Sequence, residues 1–539
     1  MATADVSRFG IGALFAHYAE REQPTIFHLS RAFDIAPDGG TRYTVPQLAD
    51  LIGETAAWLH AAGARQGDRI AIVKDNHWDC TLLACAAARI GVLPAMISGH
   101  LAADALETLL KRLDPAVLVT KRNILERGRA AETDLASLAR RTISLDGEAP
   151  GAASLAEAIG ERADGEPPVP RRDPSEPMVV THTSGTTGVP KLVVHSAGTI
   201  LGTLGKIESV RWPIVATRKS DTVASGIAFV HGRSIPWTAG TLLLEPRKAV
   251  VVADGDPATA ERVFTEHPPT TCETLPAFFT RWEGLAAKEN SVFRDVRLYV
   301  STFDAMHPPT VRRFLAASRR RFPAWLQGWG QSEAGPLAFR LLTRRALART
   351  GERHPTTRIA GRPLPYFTQL EVRDPETMRK VRAGERGVVF ARTKGRCLTY
   401  LGEEERWSEK ADGDWWNTGD VGTRGRTGAI TLLDREVDTI PGISCIELED
   451  VLTDRVPAIE EVVILGSPNQ KPLPVVATAD GKLPDDVWAK AVADLPELAD
   501  PVYITWDEML RTGTGKVRRG EMRKRYMDDA ETFGTGRWT

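Results

Sequence analysis

Residues 181–196, THTSGTTGVPKLVVHS, gather hydroxyls, glycines and a lysine between two apolar runs. Gly185 and Gly188 let backbone N–H groups converge, Thr183, Ser184, Thr186 and Thr187 add hydroxyl donors, and Lys191 adds a cation. Such a set can wrap a polyphosphate. The same composition also describes an ordinary solvated hairpin turn. It is not the strand–GxxxxGK[ST]–helix loop, because Lys191 follows Pro190 and the chain leaves as the strand-like run KLVVHS. No helix N-terminus is expected to face the phosphates.

Four later stretches carry further chemistry. LQGWGQSEAG (326–335) sets an aromatic face, a hydroxyl and a carboxylate in Trp329, Ser332 and Glu333 between glycines. DWWNTGDVG (414–422) presents Asp420 after Thr-Gly, LLDREVD (432–438) carries Arg435, and RTGTGKVRR (511–519) lifts Lys516 on a glycine turn. Taken singly, a Trp is usually core, an Asp after Thr-Gly is often a turn residue, and Lys516 is one more cation in a basic stretch.

In order and across most of the chain, these five stretches resemble the signatures of the adenylate-forming (ANL) superfamily: acyl-CoA synthetases, nonribosomal peptide adenylation domains and luciferases. The resemblance implies attack of a carboxylate on the α-phosphorus of ATP, giving an acyl-adenylate and pyrophosphate. By the same resemblance, residues Thr183, Ser184, Gly185, Thr186, Thr187, Gly188 and Lys191 hold the β- and γ-phosphates. Trp329 and Gly330 meet adenine, Ser332 the α-phosphate, Asp420 the ribose hydroxyls and Arg435 the nucleotide. Glu333 binds Mg²⁺, and Lys516 is the catalytic lysine that touches both carboxylate and α-phosphate. Two anions must meet in this reaction, so positioning and charge neutralisation are its main requirements.

SGIAFVHGRSIPWT (225–238) resembles the family's acyl-pocket segment. Amino-acid-activating members carry an aspartate there. This chain reads Phe-Val-His, which argues for a substrate that is not an α-amino acid. His231 resembles the histidine near the incoming nucleophile in acyl- and aryl-activating members; a simply packed histidine is the alternative. Arg233 either pairs with a polar or acidic group on the substrate or points outward, and Gly328 is expected to border the same pocket. STFDAMHPP (301–309) stands where the family commonly has a glycine-rich turn against the adenine. The hinge position usually filled by Asp or Lys falls on Val437, beside Asp438, and IPGISCIELED (440–450) is shorter than the loop that lines the thiol tunnel in CoA-using members.

These departures leave two expectations for the second step. The first is transfer of the acyl group to a thiol, with CoA or a carrier protein as acceptor. The alternative is an amine acceptor, as in amide-forming ligases and the diazotising relatives that activate nitrite, a small oxyanion, in place of a carboxylate. A nucleotide-binding pseudoenzyme is a third reading, disfavoured by the presence of Lys516, Glu333 and Asp420 together.

The elements that must position these residues are legible in outline. TVPQLADLIGETAAWLHAAG (44–63) places Leu48, Leu51, Ile52, Thr55 and Leu59 on one helical face with Gly63 as a stop. DRIAIVK, a helix through WDCTLLACAAARIG, and VLPAMIS follow in strand–helix–strand order, which predicts an α/β layer with parallel strands. MVVTHT and KLVVHS are expected as strands on either side of the phosphate loop, and residues 146–177 as an exposed connection. EEVVILGSP and PVVATAD are strands of a smaller α+β unit. The fold class is therefore α/β, with a large N-terminal domain over 1–435 hinged to a small C-terminal domain over 436–539.

At 539 residues the chain exceeds one compact core. A net charge of −1 supplies no field for nucleic acid or anionic membrane, so neither is expected as a partner. The longest apolar run is broken by Arg89 and Pro94, and MATADVSRFGIG lacks a basic segment leading into an apolar core, so neither a membrane span nor a signal peptide is expected. Cys80, Cys85, Cys272, Cys397 and Cys445 have no paired CxxC spacing and fit a reduced, cytoplasmic protein without a zinc site.

Overall fold

The computed structural model describes residues 10–162, 167, 169–170, 173–183, 189–348, 357–528 and 531–533. Five of the expected phosphate-loop residues, Ser184 to Gly188, lie outside them.

The helix expected from residue 44 spans Val45–Ala61. It starts where Thr44 accepts from the backbone N–H of Gln47 while Gln47 returns a bond to Thr44, with Pro46 in the first turn. Leu48, Ile52, Thr55 and Leu59 are buried on its inner face, and Leu51 at its flank is half-buried. Gly63, at φ +98°, lets the chain turn away. The strand Arg69–Lys74, the helix Asp79–Arg89 and the strand Leu93–Ser98 follow as the pattern predicts, and the two strands pair in parallel.

Among the described residues the strands form three sheets. One carries Arg69–Lys74 at its centre, flanked by the parallel strands Leu93–Ser98 and Val117–Thr120. Next to Leu93–Ser98 lies the antiparallel pair Pro177–His182 and Leu192–Ser196. The two strands expected on either side of the phosphate loop therefore pair antiparallel with each other. Within the exposed connection before it, Leu155–Gly160 is a short helix opened by a Ser154–Glu157 capping box, which the loop-rich composition concealed.

The longest sheet has a parallel half, ordered Ile26–Leu29, Lys248–Val251, Thr222–Gly226, Thr271–Thr274, Leu298–Ser301 and Ala324–Gln331. It continues antiparallel through Gly335–Leu342 and Ile359–Pro363 to Ile430–Arg435 and Trp415–Arg424. Aromatic residues including Phe279, Trp282, Tyr299, Phe314 and Trp325 fill one face beneath the parallel half.

Beyond Arg435 a single 3₁₀ turn, Glu436–Asp438, leads into a separate unit. Its antiparallel strands Ile459–Ser467 and Gln470–Thr478 have Val502–Ile504 alongside, and the helices Cys445–Arg455 and Arg519–Tyr526 pack against it. Ile440 pairs with Ile443 across Pro441–Gly442, and the helix begins at Cys445, so the short segment after Asp438 is used up as one tight turn. All five cysteines are buried and free, and no helix among the described residues is long and apolar enough to cross a membrane.

Candidate active site

The parallel strands Thr222–Gly226, Thr271–Thr274, Leu298–Ser301 and Ala324–Gln331 contribute residues to the wall of a cavity of about 760 Å³. Thr183, Lys191, His231, Arg233, Gly328, Trp329, Gly330, Ser332, Glu333, Arg435 and Lys516 all line it. Segments more than three hundred residues apart therefore meet at one place.

The hairpin between Ala324–Gln331 and Gly335–Leu342 carries Ser332 and Glu333 at its tip. Gly335 makes that tip possible: it sits at φ +68°, and a Cβ there would fall 2.3 Å from Leu204 Cδ2. Glu333 is buried and accepts a 2.6 Å bond from the Tyr400 hydroxyl. Burial alone would raise its carboxyl pKa, but Lys410, Lys191 and the Tyr400 bond hold it below its ordinary value. Glu333 is accordingly a carboxylate, ready to meet a hard cation.

Thr183 and Lys191 are bound to each other at the ends of the two hairpin strands. The Lys191 N–H donates to Thr183 Oγ1 at 3.0 Å, and the Thr183 N–H donates to the Lys191 carbonyl at 3.1 Å. Burial, with Lys410 nearby, lowers the Lys191 ammonium to about 8. Lys410 and Lys516 are lowered as well, again chiefly by burial. Cations crowded into a cavity at this cost call for an anion between them.

Asp420 and Arg435 face each other across neighbouring strands, Cα partners in the sheet register. Arg435 Nε lies 3.4 Å from Asp420 Oδ1, and Gln331 Nε2 donates to Asp420 Oδ2 at 3.2 Å. Lys516 enters from the C-terminal unit on a turn closed by the Thr512 N–H to its carbonyl at 2.8 Å and by its own N–H to Thr512 Oγ1 at 3.2 Å.

His231 Nε2 lies 2.8 Å from Ser332 Oγ, and its Nδ1 faces the Arg233 N–H at 3.4 Å. With Nδ1 accepting, the neutral ring donates from Nε2 to the serine. Burial, then His182, Lys516 and His195, bring its pKa down to about 3. The ring therefore stays neutral at ordinary pH and orients Ser332. His195 fixes the other side of that serine, its Nε2 2.9 Å from the Ser332 carbonyl.

Arg233 neither points outward nor waits for an acidic substrate group. Its Nε and Nη2 each donate to Glu273 at 2.8 Å, Nη2 also to Glu208 at 3.0 Å, and Nη1 lies 2.7 Å from Glu208 Oε1. The stretch 301–309 keeps the shape of a glycine turn without the glycine: Phe303 sits at φ +80°, and its ring meets His231 edge-on at 5.0 Å between centroids. A bulky residue in that region is a strained one.

The sequence reading missed Tyr400, Lys410, Glu208 and Glu273, which belong to no motif, and His195, which lies in the stretch 181–196 but was given no role. Among the described residues no group of three His, Cys, Asp or Glu side chains could hold a metal. A divalent ion here would rest on Glu333 and the nucleotide's own oxygens, the pattern Mg²⁺ prefers. The donor set, several cations around one carboxylate with a buried unpartnered hydroxyl at Thr302 Oγ1, fits a nucleotide triphosphate with such an ion.

Residues 16–401 match the AMP-binding family model, described as AMP-binding enzyme. A 3-amino-2-hydroxy-4-methoxybenzoate diazotase from Streptomyces cremeus is 38% identical over 534 residues, covering 95% of each chain. A feruloyl-CoA synthase from an Amycolatopsis species is 25% identical over 503 residues, 90% of this chain and 95% of that one. The crystal structure of an anthranilate CoA ligase in complex with anthranoyl-AMP superposes with a TM-score of 0.79 at 18% identity, covering 97% of this chain and 99% of that one.

Proposed function

The chain belongs to the AMP-binding enzymes of the adenylate-forming superfamily, and from that premise we propose that it activates nitrite with ATP and delivers the nitrosyl group to an aromatic amine. The observation that carries this reading is the 38% identity to a diazotase along 95% of both chains. The tight turn at Ile440–Ile443 supports it, because no length remains there for a loop to line a thiol tunnel.

In the first step a nitrite oxygen attacks the α-phosphorus and pyrophosphate leaves, giving a mixed anhydride of nitrous acid and AMP. Lys191 neutralises the outer phosphates and Lys516 the α-phosphate and incoming oxyanion. Ser332, aimed by His231, donates to the α-phosphate. Asp420 takes the ribose hydroxyls, and Trp329 with Gly330 borders the adenine. Mg²⁺ on Glu333 would neutralise charge developing on the leaving pyrophosphate.

In the second step the amine nitrogen attacks the nitrosyl nitrogen, the N–O bond to AMP breaks, and a proton leaves the amine. The resulting N-nitrosamine tautomerises to the diazohydroxide, which takes up a proton at its hydroxyl and loses water to become the diazonium ion. His231, held near 3, is too weak a base to take that proton and stays a positioning residue. Residues 436–539 are read as the moving domain that brings Lys516 in, with the turn Glu436–Asp438 as hinge.

The test is incubation with ATP, Mg²⁺, nitrite and 3-aminobenzoates, reading AMP release and trapping diazonium by azo coupling. Nitrite-dependent AMP together with a trapped azo product is expected. A parallel mixture with CoA and aryl acids but no nitrite decides the thiol reading: an acyl-CoA formed there, with no diazonium in the first mixture, overturns the proposal.

A further inference from the structure

The Arg233 cluster lies in the wall of the cavity and belongs to none of the nucleotide contacts. Arg233 is the residue just before the helix Ser234–Leu244, Glu273 lies on the strand Thr271–Thr274, and Glu208 lies on the short helix Lys206–Ser209. That short helix follows a π-helical stretch, Ile200–Gly205, whose wider turn changes the facing of the residues after it. Gly240 completes the arrangement: a Cβ there would lie 2.9 Å from Glu208 Cβ, so only glycine lets the glutamate pass.

The hydrogen-bonding capacity within the cluster is unequal. A guanidinium has five N–H donors, and two carboxylates together accept at about eight lone-pair sites. Glu273 faces Arg233 with both oxygens and its side chain is only 8% exposed. The Glu208 side chain is 23% exposed and borders the cavity. Unused acceptor capacity therefore faces the cavity from Glu208. Ile207, Val210, Trp237, Leu244 and Val300 line the same cavity with apolar surface. A flat apolar ring fits such walls, and its substituent near Glu208 must be a hydrogen donor. A substrate carboxylate is excluded from that end, because the arginine is already engaged by two carboxylates and a third would be repelled.

We propose that Glu208, held by Arg233, is the specificity-determining residue of the second substrate and accepts a hydrogen bond from an amino group on its aromatic ring. Glu208 touches the substrate; Arg233 and Glu273 act through it as positioning residues. This deepens the amine reading above and rests on it for the role of the bound ring, although its test does not depend on nitrite chemistry.

The experiment measures dissociation constants of 3-aminobenzoate and 3-methylbenzoate, which differ by NH₂ against CH₃, by calorimetry on the full chain with AMP present. The wild-type protein is expected to hold the amine at least tenfold tighter than its methyl counterpart. Glu208→Gln, close in shape, is expected to bring that ratio within threefold while the methyl compound binds as before. A wild-type ratio within threefold overturns the proposal, as does an undiminished ratio in a folded Glu208→Gln. Should Glu208→Gln fail to fold, Glu208→Asp, which withdraws the charge by one methylene, decides in its place. A preference lowered at least threefold supports the assignment, and an unchanged one overturns it. If the preference holds but nitrite gives no diazonium, the nitrite reading falls and Glu208 stands; if diazonium forms without the preference, the reverse follows.

Discussion

His307 Nδ1 lies 3.0 Å from Asp450 Oδ1, joining the stretch that borders the cavity to the helix that opens the C-terminal unit. The ring's other nitrogen, Nε2, lies 2.9 Å from Glu461 Oε1, and Arg511 pairs with the same glutamate at 3.1 Å. The pair Arg312–Asp454 and the pair Arg358–Glu447 tie the same two bodies together. Burial alone would lower the His307 pKa, but bonds to Asp450 and Glu461 raise it well above its ordinary value.

That raised value makes docking of the C-terminal unit depend on pH. The undocked ring titrates near 6.5, so the contribution of His307 to docking is complete below that pH and is lost as pH rises through the higher docked value. Fluorophores on the two units should report constant proximity at mildly acidic pH and a falling docked fraction at alkaline pH. His307→Gln should flatten the profile. An unaltered profile in that variant would reject the latch.

Lys191 sets a second pH limit with the opposite origin. Its ammonium, lowered to about 8, is charged below that pH and loses its charge above it. ATP affinity should be flat between pH 6 and 7 and should weaken as pH passes 8. Lys191→Met should weaken ATP roughly 10- to 100-fold, the size of a charge-assisted bond, and should remove the alkaline decline. Equilibrium titration with ATP across pH reads both effects.

Lys516→Ala should reduce oxyanion-dependent pyrophosphate release by about 10² to 10³, the usual loss when one preorganised charge partner of a transition state is removed. ATP binding to the large body should change far less, since Lys191, Asp420 and the 326–335 hairpin stay in place. Pyrophosphate release at the wild-type rate would remove Lys516 from the mechanism.

Arg233→Met should cost about 3–5 kcal/mol of stability, because it strands the buried Glu273 beside the like charge of the half-buried Glu208. The loss should shrink as pH falls, because burial raises the Glu273 carboxyl pKa and its protonation relieves the stranded charge. Denaturant unfolding at pH 5.5 and 8 tests this, and equal losses at the two pH values would contradict it.

The contrast between what the sequence discloses and what it hides has a physical basis here. Ser332, Glu333, Asp420, Arg435 and Lys516 sit in short stretches whose turns and strand ends are local, so their spacing survives in the linear text. The helix Val45–Ala61 is likewise legible, because capping and periodicity act within a few residues. Tyr400 reaches Glu333 from 67 positions away, and Glu273 reaches Arg233 from 40. Such pairs are made by sheet order, and nothing adjacent to either partner announces them. Arg233 left its two readings open because both assumed it had no protein partner. Phe303 shows the limit from the other side: the backbone keeps a turn that glycine would ease, so a residue type that argued against the turn did not prevent it.

The cavity is walled on one side by Thr514 and Lys516, which belong to the C-terminal unit. In the proposed reaction a mixed anhydride with AMP formed there would be readily destroyed by water, and that wall would separate it from bulk solvent. The number of ATP molecules consumed per molecule of finished product is therefore governed by how long the wall stays shut relative to the arrival of the nucleophile. Weakening the contacts of His307 would then leave the chemistry of each step intact while making the enzyme wasteful, burning nucleotide in futile hydrolysis.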